Sequence, residues 1–448
     1  MNLIYGIKDK PSFGKVMLFA LQQLLAIMAA TIAVPAIVGN GLTASAALFG
    51  AGVGTVVYLL FTKSSSPVFL GSSFAFIGSM LSAFGGAASV SIGYWGLIIG
   101  ALMAGLVYVI ISIVVKFCGV AWIDKLMPPV IIGPTVAIIG LSLSANAVGD
   151  LMKSSVAGGS TYVALICGLV TLAVTMLCST YGKKIGRLIP FIMGILAGYA
   201  VASIFALIGS ATNNPALTVI DYSALTSLNF KTLSGYFALP KFTFALGGME
   251  GLKGITGSYL LTLFAAYVPV AFVVFAEHLA DHKNLSTIVG TNLLEKPGLT
   301  RTLLGDGVGT MVSTFFGGCP NTTYGESIGC VAITRNASTI SIWGCAALCV
   351  IFSLISPLVA FLETIPSCVM GGVCIALYGF IAVSGFKMFQ KVDLNKNRNL
   401  FVASVIFITG VGGMVVSFGA VQIRTVACAL ILGILTNLML SKEPEENA

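Results

Sequence analysis

Fourteen apolar runs follow one another along the chain, separated by short polar breaks. They lie at about 16–38, 45–62, 67–85, 93–116, 127–148, 160–179, 186–210, 257–279, 301–318, 319–335, 338–363, 366–386, 398–416 and 420–440. Runs of this length, at 1.5 Å per helical residue, cross a hydrocarbon layer of roughly 30 Å. Two of them do not read as full spanning helices. The run from Cys319 to Arg335 begins Cys-Pro-Asn-Thr-Thr-Tyr-Gly-Glu, and a proline with three polar residues is a poor start for a spanning helix. The pattern predicts a short extended piece and then a half-helix from about Tyr324 to Thr334, with Thr322 or Thr323 as its N-cap. The run at 67–85 contains Gly71-Ser-Ser-Phe-Ala-Phe and reads the same way, with Ser72-Ser73 capping its half-helix. Broken backbone at membrane depth is tolerated only where it is buried in protein or lines a polar cavity. The free amides at such helix starts carry partial positive charge and donate hydrogen bonds.

The two halves repeat each other. Gly50-Ala-Gly-Val-Gly-Thr-Val-Val returns as Gly305-Asp-Gly-Val-Gly-Thr-Met-Val. Gly71-Ser-Ser-Phe-Ala-Phe-Ile-Gly is followed in the same order by Asn321-Thr-Thr-Tyr-Gly-Glu-Ser-Ile, and Pro129-Val-Ile-Ile-Gly by Pro366-Ser-Cys-Val-Met-Gly. One such echo is unremarkable in a glycine-rich chain; three in order favour duplication of a seven-segment unit. Seven is odd, so the second copy enters the membrane inverted, as in secondary transporters. The fold class expected is therefore an all-α polytopic membrane protein: 14 segments in two inverted seven-segment repeats, with two short strand/half-helix segments meeting at the midplane.

Composition agrees: the chain is 57% hydrophobic and 8% charged, against roughly 25% charged residues in soluble domains. The net charge of +8 marks orientation and not nucleic-acid binding. With the N-terminus inside and the runs alternating, only Lys153, Lys231, Lys241, Lys253 and Arg424 fall outside, leaving 18 of the 23 Lys and Arg inside. That places both termini in the cytoplasm. The ten cysteines show no CxxC spacing and read as small core residues, implying neither disulfide nor metal. No cleavable signal peptide is expected.

Four acids lie within or beside apolar runs: Glu277, Asp281, Asp306 and Glu326. An ionisable group there is a functional candidate by default. Glu326 sits in the first turn of a half-helix. Glu277 lies in Val273-Val-Phe-Ala-Glu-His-Leu-Ala-Asp281 with no Lys or Arg within a turn; Asp281 follows one turn later on the same face. Asp306, in the glycine-rich repeat opposite an apolar counterpart, Ala51, reads as an acid that satisfies broken backbone. His278 points about 100° away from Glu277 and reads as a packing histidine, and His282 as a residue of the cytoplasmic interface. Gln23 either bonds between helices or lines the site. The glycine-rich runs read as close-packing surfaces, since no Lys-Ser/Thr follows them.

The run Asn321 to Arg335, together with Ala276-Glu-His278, Gly71-Ser-Ser-Phe-Ala-Phe76 and Gln22-Gln23, resembles the motifs of the nucleobase–ascorbate transporter family, from the first span to the last. Within it the likeness is to bacterial uracil-transporting members, which resemble this chain in carrying Glu where many purine-transporting relatives carry Gln. The resemblance implies a core domain (1–116 and 257–363) and a gate domain (117–210 and 364–448, with a cytoplasmic tail), joined by an extracellular connection at 211–256. It also implies proton symport, so that the only cofactor is a co-transported proton, and no enzyme activity. Glu277 and Glu326 match the family's substrate-binding acids, Gly325 and Phe74 its backbone contacts to the base, and Ala30 a position lining the site. Tyr324 and Ser73, at the two half-helix starts, complete the candidate site, and Glu277, Asp281 and Glu326 are the candidate proton carriers. The chain departs from the family at Gln22-Gln23, where Gln-His is common, at Asp281, where uracil permeases often carry His, and at Ser327, where Asn is usual. The reading is proton-coupled uracil uptake by alternating access across the cytoplasmic membrane. A purine (xanthine or uric acid) permease of the same family, or an anion transporter or channel of the same fold, is the alternative. The anion reading calls for a basic residue near the half-helices, and none precedes Arg335 there. The partners expected are a small nucleobase and membrane lipid, no nucleic acid, and a homodimer as the candidate assembly.

Overall fold

The computed structural model describes residues 3–119, 122, 127–183, 185–390, 392–418 and 421–441. Lys125, Lys184, Lys391 and Lys442, counted in the charge asymmetry, and the tail from 442 lie outside the described residues. The first half runs α1 (Phe13–Val38), α2 (Ala44–Phe61), β1 (Leu70–Ser72), α3 (Ile77–Gly85), α4 (Val90–Cys118), α5 (Pro129–Ser142), α6 (Ser144–Leu151), α7 (Thr161–Tyr181) and α8 (Pro190–Ala211). The second runs α9 (Thr243–Lys253), α10 (Gly257–Val289), α11 (Leu299–Gly317), β2 (Asn321–Thr323), α12 (Gly325–Thr334), α13 (Thr339–Leu354), α14 (Ser356–Glu363), α15 (Ser367–Phe389), α16 (Asn397–Val411), the hairpin β3 (Val416–Phe418) and β4 (Val421–Ile423), and α17 (Thr425–Met439). Among the described residues, eight helical stretches are long and apolar enough to cross a membrane. The protein is therefore a multi-pass helical membrane protein.

Several helix starts follow ordinary capping chemistry: the hydroxyls of Thr43, Ser89 and Thr256 accept the amides of Ala46, Ile92 and Tyr259. The half-helices do not. Both broken segments are extended pieces followed by short helices, as the pattern predicts, but neither is capped by its hydroxyls. Tyr324 precedes α12 and Phe76 precedes α3, without a side-chain cap. Thr322, Thr323 and Ser72 are strand residues, because their backbone is used across the break. β1 and β2 pair antiparallel, Leu70 with Thr323, Gly71 with Thr322 and Ser72 with Asn321. The Ser73 amide donates to the Pro320 carbonyl at 2.8 Å.

The glycine repeat supports this crossing. α2 packs on α11, and α11 on α4, at backbone distance: a Cβ on Gly50 would stand 2.6 Å from the Ser313 carbonyl oxygen, and one on Gly309 2.9 Å from that of Gly54. The threonine ending each glycine run then reaches a strand. Thr55 accepts the Leu70 amide at 3.0 Å, and Thr310 donates to the Asn321 carbonyl at 2.6 Å. Close helix packing and strand satisfaction thus come from the same six-residue pattern, used twice.

Elsewhere the helices depart from the apolar runs. α10 continues ten residues past 279, since the polar residues there find partners, and ends at Gly290 in the left-handed conformation, φ 71°. The run at 338–363 breaks at Ile355, before Ser356-Pro357. The polar connection at 211–256 contains a helix, α9, packed on α4, with the Trp95 indole donating to the Gly248 carbonyl at 2.7 Å. The strands β3 and β4 pair where the expectation had helix ends. Two packing groups emerge. α1–α4 pack with α10–α13, and α5–α8 with α15–α17; α1 meets α8, and α10 meets α5 and α17, where the groups touch.

Gly50→Leu is expected to disrupt the α2–α11 contact, since overpacking costs about 1–3 kcal/mol. The check is thermal melting of the detergent-solubilised protein; an unchanged melting temperature would mean that the helices can separate without loss.

Candidate functional site

One cavity of about 360 Å³ gathers most of the suspected chemistry. Glu277 and Asp281 of α10 face it, with Gly325 and Glu326 at the start of α12. Its apolar walls include Ala26, Val136, Phe191, Phe380 and Ile381, drawn from both packing groups. Glu277 and Asp281 share a face of α10 because residues four apart do. A Cβ on Gly325 would meet nothing within 4 Å, so the first turn of α12 opens onto the cavity. The amides of Gly325, Glu326 and Ser327 lie ahead of the first intrahelical bond, which the Ile328 amide makes to Tyr324. The site thus offers carboxyl oxygens that accept and backbone amides that donate, a match for a small planar molecule bearing both N–H and C=O groups.

Each polar member is held from behind. Thr323, the last residue of β2, donates to Asp281 Oδ2 at 2.7 Å. Ser327, next to Glu326, is clamped between α1 and the strand crossing: Gln23 Nε2 donates to its carbonyl at 3.2 Å and also to its hydroxyl, which accepts the Phe69 amide at 3.0 Å. Gln23 is therefore an interhelical bonder that positions the turn carrying Glu326. The Tyr324 ring lies where a Cβ on Gly71 would be, and its hydroxyl donates to the Ser72 carbonyl at 2.7 Å. That contact explains the glycine in the first broken segment.

Not every candidate lines this cavity. Ala26, one turn before Ala30, does so, and Ala30 is buried. Tyr324 is buried at the crossing and Ser73 is bonded through its amide. Phe74 stands edge-on to Tyr378 at 5.5 Å and lines a different cavity. The cavity also takes Arg187. This corrects the sequence argument that no basic residue approaches the half-helices: the arginine comes from another part of the chain, which local sequence could not show.

The other face of α10 holds a second network. His278 and His282 are fully buried. His278 Nδ1 lies 2.7 Å from Asp306 Oδ2, and its Nε2 lies 3.0 Å from Thr302 Oγ1. Thr302 donates its own hydrogen to the Leu299 carbonyl, so Nε2–H donates to Thr302. The contact between Nδ1 and the carboxyl then requires one proton, held on either side. His282 stacks on His278 with ring centres 4.1 Å apart; its Nδ1–H donates to the His278 carbonyl and its Nε2 meets the Tyr58 hydroxyl at 2.8 Å. The expectations for these residues change accordingly. His278 is a bonded partner of Asp306 and not a packing group, Asp306 is committed to a side chain and not to broken backbone, and His282 is interior and not interfacial. The signal available in the sequence was an acid at the second position of a glycine run, where the first run carries the apolar Ala51.

Comparison with known proteins places the chain among transporters. A family model described as Permease family (Xan_ur_permease) matches residues 14–418. The chain is 38% identical to the uracil permease of Bacillus subtilis over 99% of this chain and 96% of that protein. It is 36% identical to the uracil permease of Escherichia coli, with 96% and 92% covered. Among solved structures it resembles the transmembrane domain of the cyanobacterial bicarbonate transporter BicA, with TM-score 0.63, 16% identity, and 96% of this chain and 100% of that one covered. It also resembles the murine anion transporter Slc26a9 in its inward-facing state, with TM-score 0.67, 12% identity, and 97% and 69% covered. These last two show the fold alone.

Removing one partner of the buried pair strands the other. Asp306→Leu and His278→Leu are each expected to cost about 3–5 kcal/mol, and the double variant Asp306→Leu/His278→Leu less than the sum of the two. Thermal melting of the three variants in detergent checks this; additive losses would mean that the two residues act independently.

Proposed function

The chain belongs to this permease family, whose members are transporters and not enzymes, and from that premise we propose that it carries a nucleobase, uracil first, across the cytoplasmic membrane together with a proton. The observation that carries the reading is the convergence of Glu277, Asp281, Glu326 and the open amides of α12 on one cavity. Uracil presents two N–H donors and two C=O acceptors. Carboxyl oxygens take the first and helix-start amides the second. Glu326 and Glu277 are the residues assigned to the ring N–H groups. The cavity's apolar walls, Phe191 and Phe380 among them, suit the ring faces.

Transport follows from where the cavity lies. It is walled by the core group on one side, and by α5, α8 and α15 of the gate group on the other, so that a relative movement of the two groups exposes it to one side of the membrane and then the other. The fourteen-segment inverted repeat is part of this proposal; antiparallel β1 and β2, and Thr55 and Thr310 in equivalent roles, support it. The Lys and Arg distribution supports both termini in the cytoplasm. A neutral base draws nothing from the membrane potential by itself. Glu277, on an apolar helix with no cation within a turn, is the residue assigned to the co-transported proton. Asp281, a turn nearer the cytoplasm, is the relay. A second reading, an anion as substrate, is favoured by Arg187 alone and opposed by three carboxyls on the same cavity.

Uptake by proteoliposomes of labelled uracil, xanthine, hypoxanthine, ascorbate and bicarbonate separates these readings. Uracil is expected to accumulate, faster as the external pH falls, and a protonophore is expected to abolish the gradient. Accumulation of bicarbonate without uracil would establish the second reading in its place.

Glu326→Gln sets a donor against a donor. It is expected to weaken uracil binding by about 1–3 kcal/mol, roughly tenfold to a hundredfold. Glu277→Gln, which mimics the protonated acid, should still bind base but lose accumulation against a gradient. Calorimetric binding and uptake, measured on both variants, check the assignment. Proton-driven accumulation by Glu277→Gln would pass the coupling role to Asp281 or Glu326.

A further inference from the structure

A second cavity, of about 250 Å³, lies between the same two packing groups. One wall is the broken first segment, with Phe74 and, from α3, Ile77, Gly78, Ser79 and Leu81; the other carries Ile139, Ser142, Asn146 and Arg424 from α5, α6 and the start of α17. Its place along the helices is informative. α10 gives Glu277 and Asp281 to the acid-lined cavity and Ala266 and Val270 to this one, a displacement of roughly 10 Å or more toward its N-terminus at 1.5 Å per residue. α5 gives Val136 to the first and Ile139 and Ser142 to the second, a displacement toward its C-terminus. By the charge asymmetry these two helices run in opposite directions, so both displacements point the same way, to the outer side. Phe74, on the lining of the outer cavity, stands edge-to-face to Tyr378 with ring centres 5.5 Å apart, and both are buried. Tyr378 belongs to α15, whose Phe380 and Ile381 line the acid-lined cavity.

Two polar groups on the outer cavity have no part in the scheme above. Arg424 is half-buried, and the one side-chain hydrogen bond it makes among the described residues runs from Nε to Ser82 Oγ at 2.6 Å. This bond ties α3 to the start of α17 across the gap between the groups. Asn146 is exposed on the same lining. An arginine fork and an amide present donors to carbonyl oxygens, the complement of the carboxyls at the other end.

We propose that this cavity is an entry site for the transported base, where Arg424 and Asn146 hold its carbonyl oxygens, and that the Phe74–Tyr378 pair is the barrier it crosses to reach the acids. The proposal rests on the nucleobase reading. The ligand class is a neutral planar cyclic imide or amide, held by its C=O side first and by its N–H side after passage. The Arg424–Ser82 bond is then the outer closure, released as the base engages the guanidinium.

The test is the concentration dependence of labelled-uracil uptake by right-side-out vesicles bearing Arg424→Gln, Ser82→Ala or Asn146→Ala. Losing a charge-assisted hydrogen bond to the base raises KM about tenfold or more. Arg424→Gln is expected to do this with the maximal rate within roughly twofold of the parent. Ser82→Ala, which removes the closure but keeps the guanidinium, is expected to retain the parental KM or lower it. A parental KM in Arg424→Gln, or an equal rise in Ser82→Ala, overturns the entry site. If Arg424→Gln does not reach the membrane, Asn146→Ala decides: a raised KM supports the site and an unchanged one overturns it. No uracil uptake by the parent would instead reject the nucleobase reading, a distinct result.

Discussion

Backbone amides and carbonyls have no water to bond in a bilayer, and two buried segments of this membrane chain leave the helix. Their backbone groups pair with each other. Antiparallel pairing of Leu70–Ser72 with Asn321–Thr323, closed by the Ser73 amide on Pro320 and by Thr55 and Thr310 from the flanking helices, accounts for the crossing. Each remaining feature of the interior depends on it. The glycine runs let α2 and α11 approach until their threonines reach the strands. The strands fix where α3 and α12 begin. The start of α12 puts open amides beside Glu326, and the end of β2 puts the Thr323 hydroxyl on Asp281. A full spanning helix at either position would have satisfied its own backbone and left nothing to bind a ligand.

Much of this was legible because the constraints are local. Pro320 and the polar trio after it cannot start a spanning helix, and so the break was visible. Glu277 and Asp281 are four apart in an apolar run, and so their shared face was visible. The repeated Gly-x-Gly-x-Gly-Thr pointed to a duplication, although not to its threonine bonding a strand. The caps were misread for a physical reason. Thr322 and Thr323 have the right chemistry for an N-cap, but pairing with the other copy claims their backbone first, a partner about 250 residues away in sequence. Arg187, Phe191 and Phe380 were not legible as cavity residues, since nothing in an ordinary apolar helix marks which side chain meets the other packing group. The β3–β4 hairpin was hidden for a similar reason, being an apolar stretch too short for its period to tell strand from helix.

The fold is shared with proteins whose names describe bicarbonate and anion transport, so the scaffold does not choose the substrate. The choice falls to the side chains at the two half-helix starts and their neighbours. Here the amide-rich start of α12 shares its cavity with three acids, and under the proposed reading this pairing disfavours an anion and suits a neutral molecule with hydrogens to give. Arg187 stands on the same lining but comes from the stretch between α7 and α8, in the other packing group; under the proposed movement of the groups its distance from the acids would change. The acids on α10 and α12 stay with the crossing that holds them. The α10 and α12 side of the cavity is thus acceptor-rich, and its cation comes from the other packing group.

One helix keeps these polar groups apart. In Glu277-His-Leu-Ala-Asp-His282 the acid–histidine pair repeats at a spacing of four. Residues four apart share a face, and adjacent ones differ by about 100°, so each turn of α10 shows an acid to the cavity and a histidine to the interior. On the interior side Asp306, Thr302 and Tyr58 occupy the histidines, with one proton between His278 and Asp306. The cavity acids are therefore not neutralised by the histidines beside them in sequence, since the helix turns those away. A helix with acids alone would have no polar anchor against α2 and α11. A helix with histidines alone would bring no acceptor to the cavity. The alternation lets α10 be held firmly on one side while its other side presents its acids to the cavity.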